Sequence, residues 1–567
     1  MTQIESMTIE APRSGARRRK AKRALYDAAL PRDVRRGSPR RLFRRAPSRF
    51  ALAAAALCVA GCMVGPNYRK PVVQIPTDFK EAVDWRRARP DPQAALSSTW
   101  WLAYHDDALS RLVDQALKAN QSIVAAEAAW RLARATVAAN KAQLYPTVTA
   151  GLSLTRFGEG SNVLFTGTGA SGIGSGGGLG GSIGGSGGSI GGSGGSISAA
   201  GRSFNIYDAN AAVSWEPDLW GKIRRQIESA KQSAQATDAQ LAGERLSIAA
   251  SVAIDYFALR QADIDVDLLQ QQQHIDARLL DATRAAYRQG SASNASVLTA
   301  QDVLETVVAD LQTIQTSREQ DEHAIAVLVG VPPADFTLAP QSDYVFATPP
   351  APLVLPSQLL ERRPDVVAAE RTAAAANAKI GVAVAAFYPT LNLSVEGGFE
   401  STAIGQLFSL PSQFWTLGPS LSETVFDGGA RTAAVREARA TFDQEVATYR
   451  GTVLTAFQDV ENSLSSYNHL QQQARAFANI YDRNQLLFSA QHQASLVGSA
   501  SVASELTQQL TLLQAEQNLK DTQSLLTQSS VTLVENLGGG WQWDDLKGAA
   551  LSSAAPRPPA QAGTAAP

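Results

Sequence analysis

The chain has 567 residues, a formal net charge of −1, 44% hydrophobic and 18% charged residues, 43 Gly, 26 Pro and two Cys. Its length admits several domains with a large core, and its charge fraction lies below the ~25% usual for a soluble domain, yet it contains no apolar run of the ~18 residues that a membrane helix requires. Cys58 and Cys62 are the whole thiol complement, which excludes a disulfide framework and a cysteine metal site.

The near-zero charge conceals a split. Residues 1–50 carry 15 Lys+Arg against 4 Asp+Glu, leaving 36 basic and 48 acidic residues and a net charge of −12 for the remainder. Within the basic part, Arg40, Arg41, Arg44, Arg45 and Arg49 precede an apolar run from Phe50 to Ala60, and Val59-Ala60-Gly61 lead directly into Cys62. A basic stretch, a short apolar stretch and small residues describe a secretory signal; about 11 apolar residues are too few to span a bilayer. Small residues before a cysteine resemble the lipobox of bacterial lipoproteins, which implies acylation of Cys62 as the processed N-terminus. An ordinary signal peptide that contains a cysteine is the alternative. Residues 1–39 are long for such a leader, as expected if translation begins at a later codon, and a nucleic-acid-binding arm is the competing reading.

After the leader (1–61), Gly65-Pro66-Asn67-Tyr68 through Pro71 and Pro76 read as part of an extended tether over 62–106. A helical pattern runs from about Asp107 to Leu144 and stops at Tyr145-Pro146. Val148, Ala150, Leu152 and Leu154 then alternate with Thr149, Gly151, Ser153 and Thr155, predicting a half-exposed strand over about 146–157. A second strand is expected at about 203–218. Between them, a Gly/Ser tract over 158–202 repeats Gly-Gly-Ser-Ile-Gly-Gly-Ser from Gly180 and again from Gly187, and reads as a loop. Helical pattern resumes at Gly221 and persists to about Gln289, which at ~1.5 Å per residue is roughly 100 Å. Val252, Tyr256, Leu259 and Val266 form one apolar stripe; Ile254, Phe257, Ile264, Leu268 and Ile275 form another on the opposite face. Arg260 with Asp267, and Asp265 with Gln272, fill the polar faces between. Two stripes suit a helix in the wall of a cylinder, its polar faces toward lumen and solvent; a helix buried between layers of a bundle is the alternative.

The chain is duplicated. Ile123 to Glu127 and Leu144-Tyr145-Pro146-Thr147 recur as Val366 to Glu370 and Phe387-Tyr388-Pro389-Thr390 at an offset of 243, while Gly290-Ser291-Ala292-Ser293 recurs as Gly498-Ser499-Ala500-Ser501 at an offset of 208. Each half therefore reads helix, strand, strand, long helix, sharp turn, returning helix. The copies occupy 107–345 and 346–545, with second-copy strands at about 389–402 and 414–427, a long helix from about Ala430 to Leu496, and an Ala/Pro-rich tail over 546–567 expected to be disordered. Four strands cannot close a barrel, and open edges are excluded from lipid. Either the strands form a soluble sheet or several chains combine them; three copies would supply twelve.

Over nearly the whole processed chain this pattern resembles the TolC/OprM-like outer membrane factors of Gram-negative tripartite efflux pumps, and within them the NodT-type lipoproteins. The matching residues are Cys62 with Gly65-Pro66-Asn67-Tyr68; Trp100-Trp101 with Asp107-Ala-Leu and Leu112-Val113; Tyr145-Pro146; Trp215 to Gly221 with Arg224-Arg225; Arg363-Pro364-Asp365-Val366; Phe387-Tyr388-Pro389; and Phe426-Asp427-Gly428-Gly429. The resemblance implies a mainly α fold with a small β part: a homotrimer whose strands form a twelve-stranded barrel in the outer membrane, continued by a long helical barrel through the periplasm. It also implies a periplasmic adaptor on the helical tips, an RND-type inner-membrane transporter, outer membrane lipid around the barrel, and no nucleic acid, cofactor, metal or catalysis. The expected function is a passive duct for small molecules. The exit duct of a type I protein secretion system and a non-conducting structural envelope lipoprotein are the alternatives.

By the same resemblance, Gly290, Ser291, Ala292 and Ser293, with Gly498, Ser499, Ala500 and Ser501, are adaptor-contact tips; simple tight turns are the plain alternative. Tyr145, Pro146, Tyr388 and Pro389 redirect helix to strand at the membrane's inner edge, where Trp215, Trp220 and Trp415 suit an interfacial belt or the core of a corner. The periplasmic gate departs from the family pattern. Acidic residues are expected shortly after the second tip glycine, where this chain has Ser504 and Thr507 with Glu505 as the nearest carboxylate, and Ser495 replaces a tyrosine whose counterpart Tyr287 persists before the first tip. Glu505, Thr507 and Tyr287 are the gate candidates. The five histidines lack ligand spacing, and in His105-Asp106-Asp107 the aspartate Asp107 fits a helix N-terminus.

Overall fold

The computed structural model describes residues 63–76, 79–80, 99–158, 203–350 and 363–541. The leader, Cys62, the Gly/Ser tract from 159 onward and the tail lie outside these residues.

Strands β1 (Thr147–Gly158), β2 (Ser203–Trp215), β3 (Thr390–Ser401) and β4 (Gln413–Ser422) form one antiparallel sheet in chain order. The second strand of each pair ends earlier than the alternation predicts. For β2 the stop precedes Pro217, which has no N–H to continue a ladder. The register aligns Val148, Val213, Val395 and Leu417 in one row and Ala150, Ala211, Gly397 and Trp415 in another, so one face of the sheet is largely apolar and turns polar only toward the end where Arg156 pairs with Asn205. On the other face Thr149, Ala212, Glu396 and Thr416 share a row, and Asn210 Nδ2 donates to Glu396 Oε1 at 2.7 Å. The apolar face is uncovered: Leu152, Trp415 and Leu417 are 78%, 76% and 67% exposed. The outer edges of β1 and β4 have no strand partner among the described residues.

The helices are α1 (Asp107–Ala119), α2 (Gln121–Ala142), α3 (Lys222–Arg288), α4 (Asn294–Leu328), α5 (Pro364–Ala385), α6 (Ala430–Leu496) and α7 (Val502–Asn536). The duplication is metric: α2 and α5 have 22 residues each, α3 and α6 have 67, α4 and α7 have 35. Among the described residues no helix is long and apolar enough to cross a membrane.

Two sequence expectations are corrected. The helical stretch from Asp107 to Leu144 is not one helix. Asn120 turns to ψ 130°, its Oδ1 accepts from the N–H groups of Ser122 and Ile123, and its Nδ2 donates to Leu328 O at 2.9 Å. A short amide side chain here competes with the helical ladder and starts a new helix. The polar faces of α3 are also not uniformly open to lumen or solvent. Arg260 and Asp265 are buried, whereas Asp267 and Gln272 are half-exposed. Arg260 lies over the Tyr256 ring and donates to Asp263 Oδ2 and Ala339 O; Asp265 accepts from Gln261 and Gln517. The cause is an added layer: the segment after α4, together with α1 and the turn Trp100–Tyr104, covers the middle of α3 and builds the principal core around Tyr104, Tyr256, Phe257 and Tyr344. At this level the bundle-layer alternative describes α3, and Trp100, Trp101 and Tyr104 belong to the body rather than to a tether. Asp106 organises the junction. It caps α1 through Ala108 and Leu109 N–H, and its Oδ2 accepts from the hydroxyls of Tyr256 and Tyr344, while Asp107 occupies the first turn as expected.

Candidate functional site

Three places concentrate the features singled out in the sequence: the helix-to-strand corners, the segment leading from Cys62, and the two hairpin tips.

At the corners, Pro146 and Pro389 end α2 and α5 in the same way, with Tyr145 N–H donating to Ala142 O and Tyr388 N–H to Ala385 O. The tryptophans lock these bends. Trp215 Nε1 donates to Leu144 O at 3.0 Å and Trp220 Nε1 donates to Pro389 O at 2.8 Å, while the Trp220 ring stacks on Tyr388 with centroids 4.8 Å apart. Trp220 belongs to the first repeat and Tyr388 to the second, so the corner interlocks both copies. Each strand-to-helix return is clasped by an aspartate. Asp218 accepts from the Ile223 and Arg224 N–H groups, and Asp427 from those of Gly429 and Arg431. Hydrogen bonds from the Arg431 side chain and backbone hold Asp427 down to about 2.

The segment from Met63 is extended, as expected, but it is docked. Val64 N–H donates to Trp220 O, and the fully buried Arg225 of α3 donates to Val64 O, Gly65 O and Asn67 Oδ1 at 2.9–3.1 Å while pairing with Glu228 at 2.7 Å. Pro66 O accepts from Asn377 Nδ2, and the Tyr68 hydroxyl donates to Glu370 Oε1 at 2.6 Å. Farther along, Phe79 is buried against a cluster containing Tyr449, Val453 and Val460. Gly65 has φ +91°, and a Cβ there would lie 2.4 Å from Gly381 Cα, so the strap requires glycine both for its backbone and for its closeness to α5. Arg363 ties α5 to its neighbours, pairing with Asp365 and Asp459 and donating to Asn536 O.

The tips are built alike. Gly290 and Gly498 both have φ +75°; Gly290 and Ser291 N–H donate to Tyr287 O and Ala286 O, and Gly498 and Ser499 N–H to Ser495 O and Ala494 O. This double bond pattern around a left-handed glycine satisfies the last carbonyls of a helix. Ser293 and Ser501 then cap the returning helices through Ser296 N–H and Ser504 N–H. Ala292 and Ala500 are half-exposed and the other six tip residues are exposed.

The model of the outer membrane efflux protein family matches residues 112–331 and 355–539, most of both repeats. The chain belongs to that family. Among curated relatives of this efflux protein, the antibiotic efflux pump outer membrane protein ArpC of Pseudomonas putida is 28% identical over 499 residues, covering 87% of this chain and 96% of ArpC. The pyoverdine export outer membrane protein OpmQ of Pseudomonas putida is 28% identical, covering 80% of this chain and 90% of OpmQ. Among solved structures, the outer-membrane channel OprN aligns with a TM-score of 0.70 and 27% identity, covering 85% of this chain and 100% of that one. The fold is thus that of TolC-like outer-membrane channels.

The gate candidates of this efflux protein do not form one cluster of contacts. Glu505 is half-buried against α6, where its Oε1 meets His492 Nδ1 at 2.7 Å, and hydrogen bonds from Ser495 and His492 hold its carboxyl below the usual carboxylate range. Gln491 Nε2 also donates to Ser504 Oγ, and Gln508 Nε2 to Asn484 Oδ1. Thr507 donates to Ala503 O within its own helix, and Tyr287 is 48% exposed. Ligand spacing does not mark His492 as a partner of Glu505. The signal lay elsewhere: 492 and 505 are nearly equidistant from the 498–499 turn, and residues placed so face each other across a hairpin. Deeper in the body, Gln261 Nε2 bridges Asp265 and Asp521. Burial, with Asp265 alongside, pushes Asp521 up to about 7; burial, with Asp321 alongside, pushes Asp255 up to about 6.

Proposed function

We propose that this chain is the outer-membrane duct of a tripartite efflux assembly, working as a homotrimer that is anchored by a lipid on Cys62. Three sheets joined edge to edge give a twelve-stranded barrel, and the 67-residue helices continue it as a periplasmic tunnel. A periplasmic adaptor docks on Gly290–Ser293 and Gly498–Ser501, and an RND-type transporter supplies the energy. The chain carries out no chemistry: small molecules pass through it. The carrying observation is a four-stranded sheet with one largely apolar face and two edges that have no strand partner among the described residues. In lipid each unpaired backbone group costs several kcal/mol, which closure among copies removes. The printed names of ArpC and OpmQ support small-molecule cargo. The strap supports the anchor, because Met63, the residue after Cys62, lies against Gly221 at the base of the sheet. Three copies of Glu505 form an acidic ring at the tunnel entrance, and Trp215, Trp220 and Tyr388 lie at the inner membrane interface. Detergent-extracted protein is expected to be trimeric and to conduct ions in planar bilayers; a non-conducting monomer would overturn the reading.

A further inference from the structure

Two clefts sit just below the sheet, one in each repeat. The first, of about 590 Å³, lies between α2 and α3 beside Met63 and is lined by Lys141, Leu144, Tyr145, Arg224, Ile227 and Lys231, with Glu228 at its wall. The second, of about 390 Å³, lies between α5 and α6 and is lined by Phe387, Tyr388, Val435, Arg436 and Arg439 among others. They occupy equivalent places in the two repeats. The repeat offset of 243 carries Leu144 and Tyr145 onto Phe387 and Tyr388, and the offset of 208 carries Ile227 and Lys231 onto Val435 and Arg439, whereas Lys141, Arg224 and Glu228 fall on Val384, Thr432 and Arg436, so Lys231 and Arg439 are the cation position that the clefts share. Both clefts therefore combine an aromatic corner and an aliphatic floor with cations from the upper turns of a long helix. Their charge is largely uncompensated. Glu228 is engaged by Arg225 and Arg224 by Asp218, whereas Lys141, Lys231, Arg436 and Arg439 have no ion-pair partner among the described residues. Among the described residues the second cleft has no acidic lining residue.

We propose that each cleft binds the phosphate of an anionic glycerophospholipid in the inner leaflet of the outer membrane. The proposal rests on the outer-membrane reading, which places the sheet's apolar face in hydrocarbon and the clefts at headgroup level. Exposed basic side chains there meet a phosphate through charge-assisted hydrogen bonds, and the Leu144, Phe387 and Ile227 walls receive the start of an acyl chain. The volumes suit a headgroup. The acyl chains of Cys62 itself would use apolar walls alone and would leave the cations of both clefts unexplained. Two clefts per chain give six around a trimer.

The test is native mass spectrometry of the full-length trimer, titrated with dioleoylphosphatidylglycerol and, in parallel, with dioleoylphosphatidylcholine, which has the same tails and a zwitterionic head. Retention of up to six phosphatidylglycerol molecules is expected, with phosphatidylcholine bound about tenfold more weakly. Arg436→Gln with Arg439→Gln should remove half of the bound lipid, and Lys141→Gln with Lys231→Gln the other half. Arg284→Gln with Arg288→Gln, an equal charge loss near the far tips, should change nothing. Should a double variant fail to assemble, the exposed single changes Lys231→Gln and Arg439→Gln carry the same expectation in smaller measure. Equal retention of the two lipids, full retention by both cleft double variants, or displacement by excess inorganic phosphate would each overturn the proposal. Conductance is recorded on the same preparation, so a conducting trimer without bound lipid refutes the clefts alone, and a preparation without trimer or conductance refutes the duct.

Discussion

Replacing Arg225 by methionine keeps the volume of a fully buried side chain and removes every donor that holds the strap at Val64, Gly65 and Asn67. A hydrogen bond to a charged group contributes about 1.5–3 kcal/mol, and leaving a buried acceptor unpaired costs about as much. Three acceptors are involved, but the strap can lift and return them to water, so the loss is bounded by the docking free energy rather than by the sum. Allowing for that relief, a loss of about 3–4 kcal/mol is expected, which at ~1.4 kcal/mol per decade raises the lifted population about 100- to 1000-fold. Tryptic cleavage after Arg69, inside the strap, reports that population when lifting is fast relative to cleavage. The cleavage rate of Arg225→Met should rise by about two to three orders of magnitude while helical content is unchanged. Arg225→Lys should fall between, since an ammonium donates without the planar fork of a guanidinium. A cleavage rate within about twofold of the parent would refute the assignment of Arg225 as the clasp.

Gly65→Ala should release the same segment with Arg225 intact, because the new Cβ meets Gly381 at a φ of +91°; protease sensitivity as low as the parent's would mean that the strap adjusts around it. Asp521→Asn has a pH signature. Its folded-state pKa of about 7 lies above the ordinary 3.8, so the folded state binds the extra proton between these values and stability falls as pH rises through that window. The variant should melt higher than the parent at pH 8, by on the order of 1 kcal/mol after discounting for solvent screening, and equal to it near pH 4; a pH-independent difference would assign the effect to packing. Glu505→Gln should lower the cation preference of single channels about twofold if the three carboxylates face the conduction path, and unchanged selectivity would confine Glu505 to its hairpin contact with His492.

Much of this architecture was legible because duplication supplies its own check. The offsets of 243 and 208 located both strand pairs, both tips and both long helices, and the paired helix lengths agree residue for residue. What escaped is tertiary in origin. Arg260 reads as a polar-face residue until the segment carrying Ala339 folds over it. Asn120 reads as one polar residue in a helix until Leu328, more than 200 positions away, supplies a carbonyl for its amide. Arg225 was visible within a family motif, but its partners lie about 160 positions upstream, and periodicity within a helix does not reveal them. The Glu505 and His492 contact belongs to an intermediate class, because reflection about the tip glycine pairs residues by arithmetic alone.

The paired helices of the two repeats match in length, whereas the connections between their paired strands take 44 residues in the first and 11 in the second. Growth or shrinkage of the first connection therefore leaves the dimensions of the helical shaft unchanged. The length of a strand connection and the length of the paired helices are thus separate variables within one duplicated chain.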